Sequence, residues 1–234
     1  MYVSAIHRLL DLVAPRTCCV CDKRLAVNEE ILCASCVRHL PWTNFIDNPY
    51  ENELAKLFWG RIKNFEKAFA PVYYIPHSLS ARSIYQLKYF NKSDLGIDMG
   101  LMMGRMLKTS GFLDDIDCIL PVPLTNKRRR ERGYNQSEMI AEGLCSVSRL
   151  PMVKDAVIRV SFGGSQTKKD KMERSENVEN AFKLINDKKV IGKHILIVDD
   201  IVTTGATICA VANQFECVSD VKISVAALGY TNSR

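Results

Sequence analysis

The sequence predicts a three-layer α/β domain with a mainly parallel sheet, preceded by a small metal-binding module. Three observations lead there. Short apolar runs alternate with stretches of helical periodicity through the second half of the chain, which argues for parallel pairing through helical crossovers. Five of the nine cysteines crowd between positions 18 and 36. Finally, the run Ile195-Leu196-Ile197-Val198 ends in Asp199-Asp200 and a turn rich in small residues.

Taking the elements in order, residues 3–13 carry apolar side chains at helical spacing (Ile6, Leu9, Leu10, Val13), and Pro15 stops the pattern. This opening helix is expected to pack on the metal module. A less patterned stretch after Cys36 reads as a connector, which divides the chain into a module over 1–60 and a larger domain over 61–234. The β-rich run Ala70-Pro71-Val72-Tyr73-Tyr74-Ile75 leads into helices over about 80–89 and 95–108. Strands are expected at 116–121, 156–160, 195–198 and 221–228, with helices at 134–147 and 205–215.

The 234 residues are 47% hydrophobic and 25% charged, the composition of a folded globular chain. No run approaches the roughly 18 apolar residues of a membrane span, and His7, Arg8 and Asp11 make the N-terminus unlike a secretory signal, so a cytoplasmic protein without membrane insertion is expected. Net charge is +6, with basic clusters at 127–132 and 168–174 that point to an anionic ligand. That ligand is a phosphorylated small molecule, pyrophosphate or nucleic acid.

Cys18-x2-Cys21 and Cys33-x2-Cys36 are two knuckles that can each give two thiolates to one tetrahedral ion, and zinc suits the donor set. Four protein ligands close the shell, so the zinc is expected to be structural. A redox-active cysteine pair is the rival reading, but two such pairs this close favour the metal. Cys19 is a spare thiol beside the first knuckle, and His39 is a possible replacement ligand.

Ile195 to Val198 reads as a buried central strand, whose carboxyl end opens on the ligand crevice of a parallel sheet. Asp199 and Asp200 therefore arrive at the crevice, followed by Thr203, Thr204, Gly205, Ala206 and Thr207 at the start of a helix. Helix N-termini favour phosphate, threonine hydroxyls add donors, and glycine permits close backbone approach. Two carboxylates before such a cradle can accept hydrogen bonds from vicinal ribose hydroxyls. A receiver domain also ends an apolar strand in Asp-Asp, but the 34 residues after Asp200 are too few to complete one.

This loop resembles the phosphoribosyl-pyrophosphate (PRPP) motif of type I phosphoribosyltransferases, and the order of the other motifs resembles the ComF (ComFC/GntX-like) family. Those motifs are the cysteine module, Gln86-Leu87-Lys88-Tyr89, Pro121-Val122-Pro123-Leu124, Arg128-x3-Arg132-Gly133-Tyr134-Asn135-Gln136 and Gln166-x7-Arg174-x2-Asn177-Val178-x3-Phe182. The resemblance implies a glycosyltransferase-class reaction releasing pyrophosphate, with Mg²⁺ accompanying PRPP. It implies that Pro121, Val122 and Pro123 form a pyrophosphate loop and that Arg128 and Arg132 neutralise the leaving group. Asn135 or Gln136 bonds either ligand or backbone. The polar stretch between Val160 and Ala181, with Gln166, Lys168, Arg174 and Asn177, is expected to act as a flap that excludes water. The family also implies a role in DNA uptake during natural transformation, with single-stranded DNA or uptake proteins as partners; a PRPP-sensing regulator is the third reading. Neither the acceptor nor the oligomeric state is legible.

Overall fold

The computed structural model describes residues 15–89, 93–160 and 181–232. The opening helix over 3–13 and the flap residues Gln166, Lys168, Arg174 and Asn177 lie outside them, as does the side chain of Lys88.

The elements run α1 (Ala34–His39), α2 (Glu53–Lys56), β1 (Phe65–Phe69), β2 (Val72–Tyr73), α3 (Leu79–Tyr89), α4 (Ser93–Thr109), β3 (Cys118–Pro121), α5 (Asn126–Arg132), α6 (Gln136–Ser148), β4 (Val157–Arg159), β5 (Phe182–Leu184), β6 (His194–Val202), α7 (Ala206–Ala212) and β7 (Lys222–Tyr230). The main sheet is parallel throughout, ordered β1–β7–β6–β3, with β2 continuing along β7 beyond β1. An α/β fold with a parallel sheet is thus what the chain adopts.

Residues 195–198 of β6 are fully buried, and β7 beside it buries every residue after Lys222. This is the continuous apolar reading of strands covered on both faces. Helix α6 lies over β3 and β6 and packs closely against α4, while α7 packs on β6. Gly100 and Gly143 set the α4–α6 distance: a Cβ on Gly100 would stand 2.1 Å from the Ile140 carbonyl oxygen, and one on Gly143 2.0 Å from that of Ile97.

Three differences from expectation have local causes. Strand β1 was hidden because Glu66 and Lys67 interrupt its apolar pattern; Lys67 is only 2% exposed, lies 4.8 Å from the Phe112 ring centre and pairs with Asp115. The short strand near 156–160 joins no parallel neighbour, and instead β4 and β5 form a separate antiparallel ribbon. Strand β6 continues past Val198 to Val202, because β7 is long enough to pair with Asp199, Ile201 and Val202.

Neither margin of the sheet ends bare. Outside β2, Trp42 bridges Val72, and Tyr73 N–H donates to the Pro41 carbonyl at 2.8 Å. Outside β1, Ala68 N–H donates to the Pro49 carbonyl at 2.9 Å while the Asn52 side chain donates to the Ala68 carbonyl at 2.8 Å. At the other margin, Ile119 exchanges hydrogen bonds with Pro151 and Val153. Phe45 packs edge-on to Tyr73 at 5.7 Å and against Tyr230 at 5.9 Å, seating the connector on the sheet. The cysteine segment shares one hydrophobic core with the sheet.

Candidate functional site

The carboxyl ends of β6 and β3 open on a cleft of about 370 Å³. Asp199 and Asp200 project from β6 into it, Thr203 and Thr207 follow from the next turn, and Val122 comes from the loop after β3. Arg128 and Arg132 reach in from α5. Seven residues from three separate segments, all singled out in the sequence by type and order, therefore share one cavity with a basic and an acidic side.

The acidic side is held in place. Asp199 Oδ1 accepts from the Ser137 hydroxyl at 2.9 Å and from the Asp200 N–H at 2.9 Å, while Asp200 Oδ1 accepts from the Ile201 N–H at 2.7 Å. Ser137 lies in the first turn of α6. That helix starts where it does because Asn135 caps it, accepting from Ser137 N–H and donating to the Val122 carbonyl at 3.0 Å. Asn135 is therefore a backbone clamp joining the loop after β3 to the helix that fixes Asp199. Gln136 orients Arg132, whose guanidinium donates to Gln136 Oε1 at 3.0 Å.

The basic side divides its arginines. Thr125 caps α5 through Arg128 N–H, and Gly133, at φ +79°, ends it. Arg128 and Arg132 face the cleft, whereas Arg129 turns away to Glu138 at 3.1 Å. Glu138 also receives Lys154 at 3.3 Å, in an adjoining cavity of about 340 Å³ lined in part by Pro121 and Pro123. Of the predicted pyrophosphate loop, Val122 lines the first cleft and the two prolines line the second.

In the phosphate turn, Thr204 Oγ1 accepts from Ala206 N–H at 3.4 Å, and Arg61 donates to the Thr204 carbonyl at 2.9 Å. Gly205 sits at φ +73°, and a Cβ there would come within 2.9 Å of the Phe58 ring and 3.0 Å of Leu57. Glycine is thus required by the left-handed turn and by the core beneath it.

Three contributors escaped the sequence reading. Ser137 carried no signal beyond its place after Asn135-Gln136. Tyr74 lines the cleft from the chain leaving β2. Arg159, at the end of β4, lines both cavities and stacks 5.1 Å from the Phe182 ring centre. Burial, reinforced by the neighbouring charge of Arg128, pulls the Arg159 guanidinium below its ordinary pKa, and Asp199 opposes that shift. Its neighbours Arg128 and Asp199 were legible; its own place at the mouth of the ribbon was not.

The four cysteines converge as their spacing predicts. The sulfurs of Cys18, Cys21, Cys33 and Cys36 lie within 4.8 Å of one another, a cluster able to hold a metal. Cys33 N–H points at Cys18 Sγ (3.4 Å) and Cys36 N–H at Cys33 Sγ (3.5 Å), and Asp22 turns the first knuckle at φ +58°. Burial pushes the Cys18 thiol up, but N–H groups of Cys33, Val20 and Cys21 outweigh it and bring the pKa down to about 7. Burial and the surrounding thiols push the Cys36 thiol upward, the conflict that a cation in the centre removes. Cys19 instead sends its N–H to the Ile31 carbonyl, and His39 Nδ1 bonds the Ser35 carbonyl at 2.7 Å; neither joins the four-sulfur group.

No helix among the described residues is long and apolar enough to cross a membrane. Residues 137–233 match the phosphoribosyl transferase domain family. Over 204 residues the chain is 31% identical to the DNA utilization protein YhgH of Escherichia coli O157:H7, covering 83% of this chain and 82% of that one. It is 26% identical over 200 residues to competence protein F of Haemophilus influenzae, covering 82% and 86%. Against competence protein ComFC of Bacillus subtilis it is 38% identical over 90 residues, covering 38% and 34%.

Proposed function

This chain belongs to the ComF family and carries its phosphoribosyl transferase domain, and from that premise we propose that the β6 cleft binds PRPP and that the protein transfers its phosphoribosyl group. The observation that carries the reading is the cleft shared by Asp199, Asp200, Thr203 and Thr207 on one side and Arg128 and Arg132 on the other. In it, Asp199 and Asp200 accept hydrogen bonds from the ribose hydroxyls, with Ser137 fixing the rotamer of Asp199. The 203–207 turn takes the 5′-phosphate through backbone N–H groups and threonine hydroxyls.

Arg128 and Arg132 hold the pyrophosphate. Charge grows there as the anomeric bond breaks, so two guanidinium groups stabilise the departing group more than the ground state. Mg²⁺ bound with PRPP would supply further neutralisation of the pyrophosphate charge. Arg159 lines the cleft from the end of β4, and in this reading Gln166, Lys168, Arg174 and Asn177 serve as the water-excluding flap. In the module over 1–60, Cys18, Cys21, Cys33 and Cys36 hold Zn²⁺ as a structural crosslink.

Calorimetry with PRPP and Mg²⁺ tests the cleft: binding is expected in the wild type and its loss in Asp199→Asn/Asp200→Asn. Binding unchanged in the double variant would sink the assignment. Release of pyrophosphate with added bases or amines separates an enzyme from a sensor of PRPP.

Relatives named for competence and for DNA utilization favour a role in DNA uptake. In that role the exposed arginines of α5 meet single-stranded phosphate. Affinity for an oligonucleotide should then fall steeply with salt, and a flat response would count against it.

A further inference from the structure

The turn over 203–207 is not held by its own loop alone. Beneath it runs the segment Leu57-Phe58-Trp59-Gly60-Arg61, which carries no motif and lies well upstream of the matched domain at 137–233. Phe58 is fully buried and packs 5.5 Å from the Phe65 ring centre. Its carbonyl accepts the N–H of Arg61 at 3.0 Å and that of Ile62 at 3.1 Å, and Gly60 supplies the left-handed φ of +70° that this bend needs. The backbone of Arg61 is thereby pinned to the core while its side chain stays exposed.

That side chain reaches the turn. Arg61 Nη1 donates to the Leu57 carbonyl at 3.1 Å and, across 143 residues of chain, to the Thr204 carbonyl at 2.9 Å. Leu57 and Phe58 of the same segment form the floor that excludes a Cβ at Gly205. Burial pushes the Cys209 thiol up, and the charge of Arg61 opposes that rise, so the field of the guanidinium extends into α7.

The peptide joining Thr204 to Gly205 is trans, so its C=O and N–H point to opposite sides. A cation on the carbonyl fixes the plane of that peptide and draws electron density from its nitrogen, which strengthens the Gly205 N–H as a donor on the far side. Among the described residues this N–H has no acceptor.

Resting on the PRPP reading of the cleft, we propose that Arg61 is a positioning residue for the 5′-phosphate. It acts through the Thr204–Gly205 peptide: the guanidinium holds the carbonyl, and the polarised N–H donates to a phosphate oxygen. Positive charge behind the peptide and negative charge before it both align with its dipole. Recognition of the phosphate end then depends on the segment that joins the cysteine module to the first strand. The arginines that hold the pyrophosphate belong to α5, a separate element. Substitution can therefore weaken one end of the ligand and spare the other.

The test uses the full chain with its metal, and titrates ribose 5-phosphate and pyrophosphate separately by calorimetry with Mg²⁺ present. In Arg61→Ala the affinity for ribose 5-phosphate should fall about fivefold, the upper end for one solvent-exposed charged contact, while that for pyrophosphate stays within about twofold. Arg61→Lys, which keeps the charge, should recover most of the loss; Arg61→Gln, which keeps a donor without the charge, should not. The amide resonance of Gly205 should move in Arg61→Ala and return toward its wild-type position in Arg61→Lys. If Arg61→Ala binds ribose 5-phosphate as well as wild type, weakens both ligands alike, or leaves the Gly205 resonance in place, the Arg61 assignment is overturned and the cleft reading stands. If the wild type binds pyrophosphate but no ribose 5-phosphate, the phosphate-turn reading falls and the role of Arg61 falls with it.

Discussion

Replacing Gly143 by alanine probes the tightest glycine position among the described residues. The added methyl would sit 2.0 Å from the Ile97 carbonyl oxygen, 2.6 Å from Leu101 N and 2.9 Å from Gly100 C. All three are backbone atoms of α4, so no side chain can rotate away; relieving the worst contact means parting two helices by roughly 1.4 Å to regain an ordinary separation. Alanine gains about 1 kcal/mol of helix propensity in α6. Overpacking of this kind costs about 1–3 kcal/mol and exceeds that where backbone must move. A net loss of about 2 kcal/mol follows, or a melting temperature lower by about 4–8 °C for a chain of this size. The site should register it too, because α6 carries Ser137 to Asp199 and Asn135 to the Val122 carbonyl. Urea unfolding beside PRPP calorimetry checks both effects. Gly104→Ala is the graded control: its methyl meets Val147 Cβ at 3.2 Å and Leu144 Cα at 3.3 Å, contacts that a shift of a few tenths of an ångström relieves, and a loss within about 1 kcal/mol is expected. Wild-type stability in Gly143→Ala would refute the close helix packing and with it the positioning of Ser137.

Four other outcomes can be checked. The purified chain should carry one zinc, lost in Cys18→Ala and kept in Cys19→Ala by elemental analysis. Chelation should unfold the 18–40 segment, since structural zinc supplies on the order of 10 kcal/mol. Burial depresses the pKa of His194, with Lys67 adding and Asp115 opposing, so the fold favours the neutral ring. That stability is present in full above about pH 6.5, the unfolded value, and is lost as pH falls from there through the lower folded-state pKa. Urea midpoints that stay flat or rise between pH 8 and pH 5 would contradict it. Removing the buried Glu138 carboxylate with Glu138→Gln should release Arg129 and Lys154 and lower stability in urea unfolding by about 1 kcal/mol, a modest loss because both cations are more than half exposed.

What was legible in the sequence is what carries a chemical or periodic signature. Paired cysteines, four apolar residues before two aspartates, and arginines ahead of Gly133 each stand out in a one-dimensional string, and each maps to a cluster in space. What stayed hidden depends on the third dimension. Gly96, Gly100, Gly104 and Gly143 look like helix weaknesses until two helices are laid together. Ser137 is an ordinary helical serine until β6 brings Asp199 to 2.9 Å. Strand β1 contradicts its own charges, which become sensible only when Asp115 and Phe112 surround Lys67. His194 bonds the Ser224 hydroxyl at 2.8 Å and faces Asp115 at 3.3 Å, the arrangement of a hydrolytic triad. Ser224 is wholly buried, so the same three residue types serve here to satisfy a polar cluster under the sheet.

The covered margins of the sheet have a consequence for association. An open strand edge is a template that pairs with any extended chain, including another copy of the protein. Here Pro41, Trp42, Pro49 and Asn52 occupy one side and Pro151 and Val153 the other, several of them through side-chain or proline carbonyl groups that continue no ladder. Growth of the sheet by recruitment is blocked at both ends. Partner capture at the main sheet then falls to side chains on helices and loops, and the strongly apolar strands β6 and β7 lie between paired neighbours.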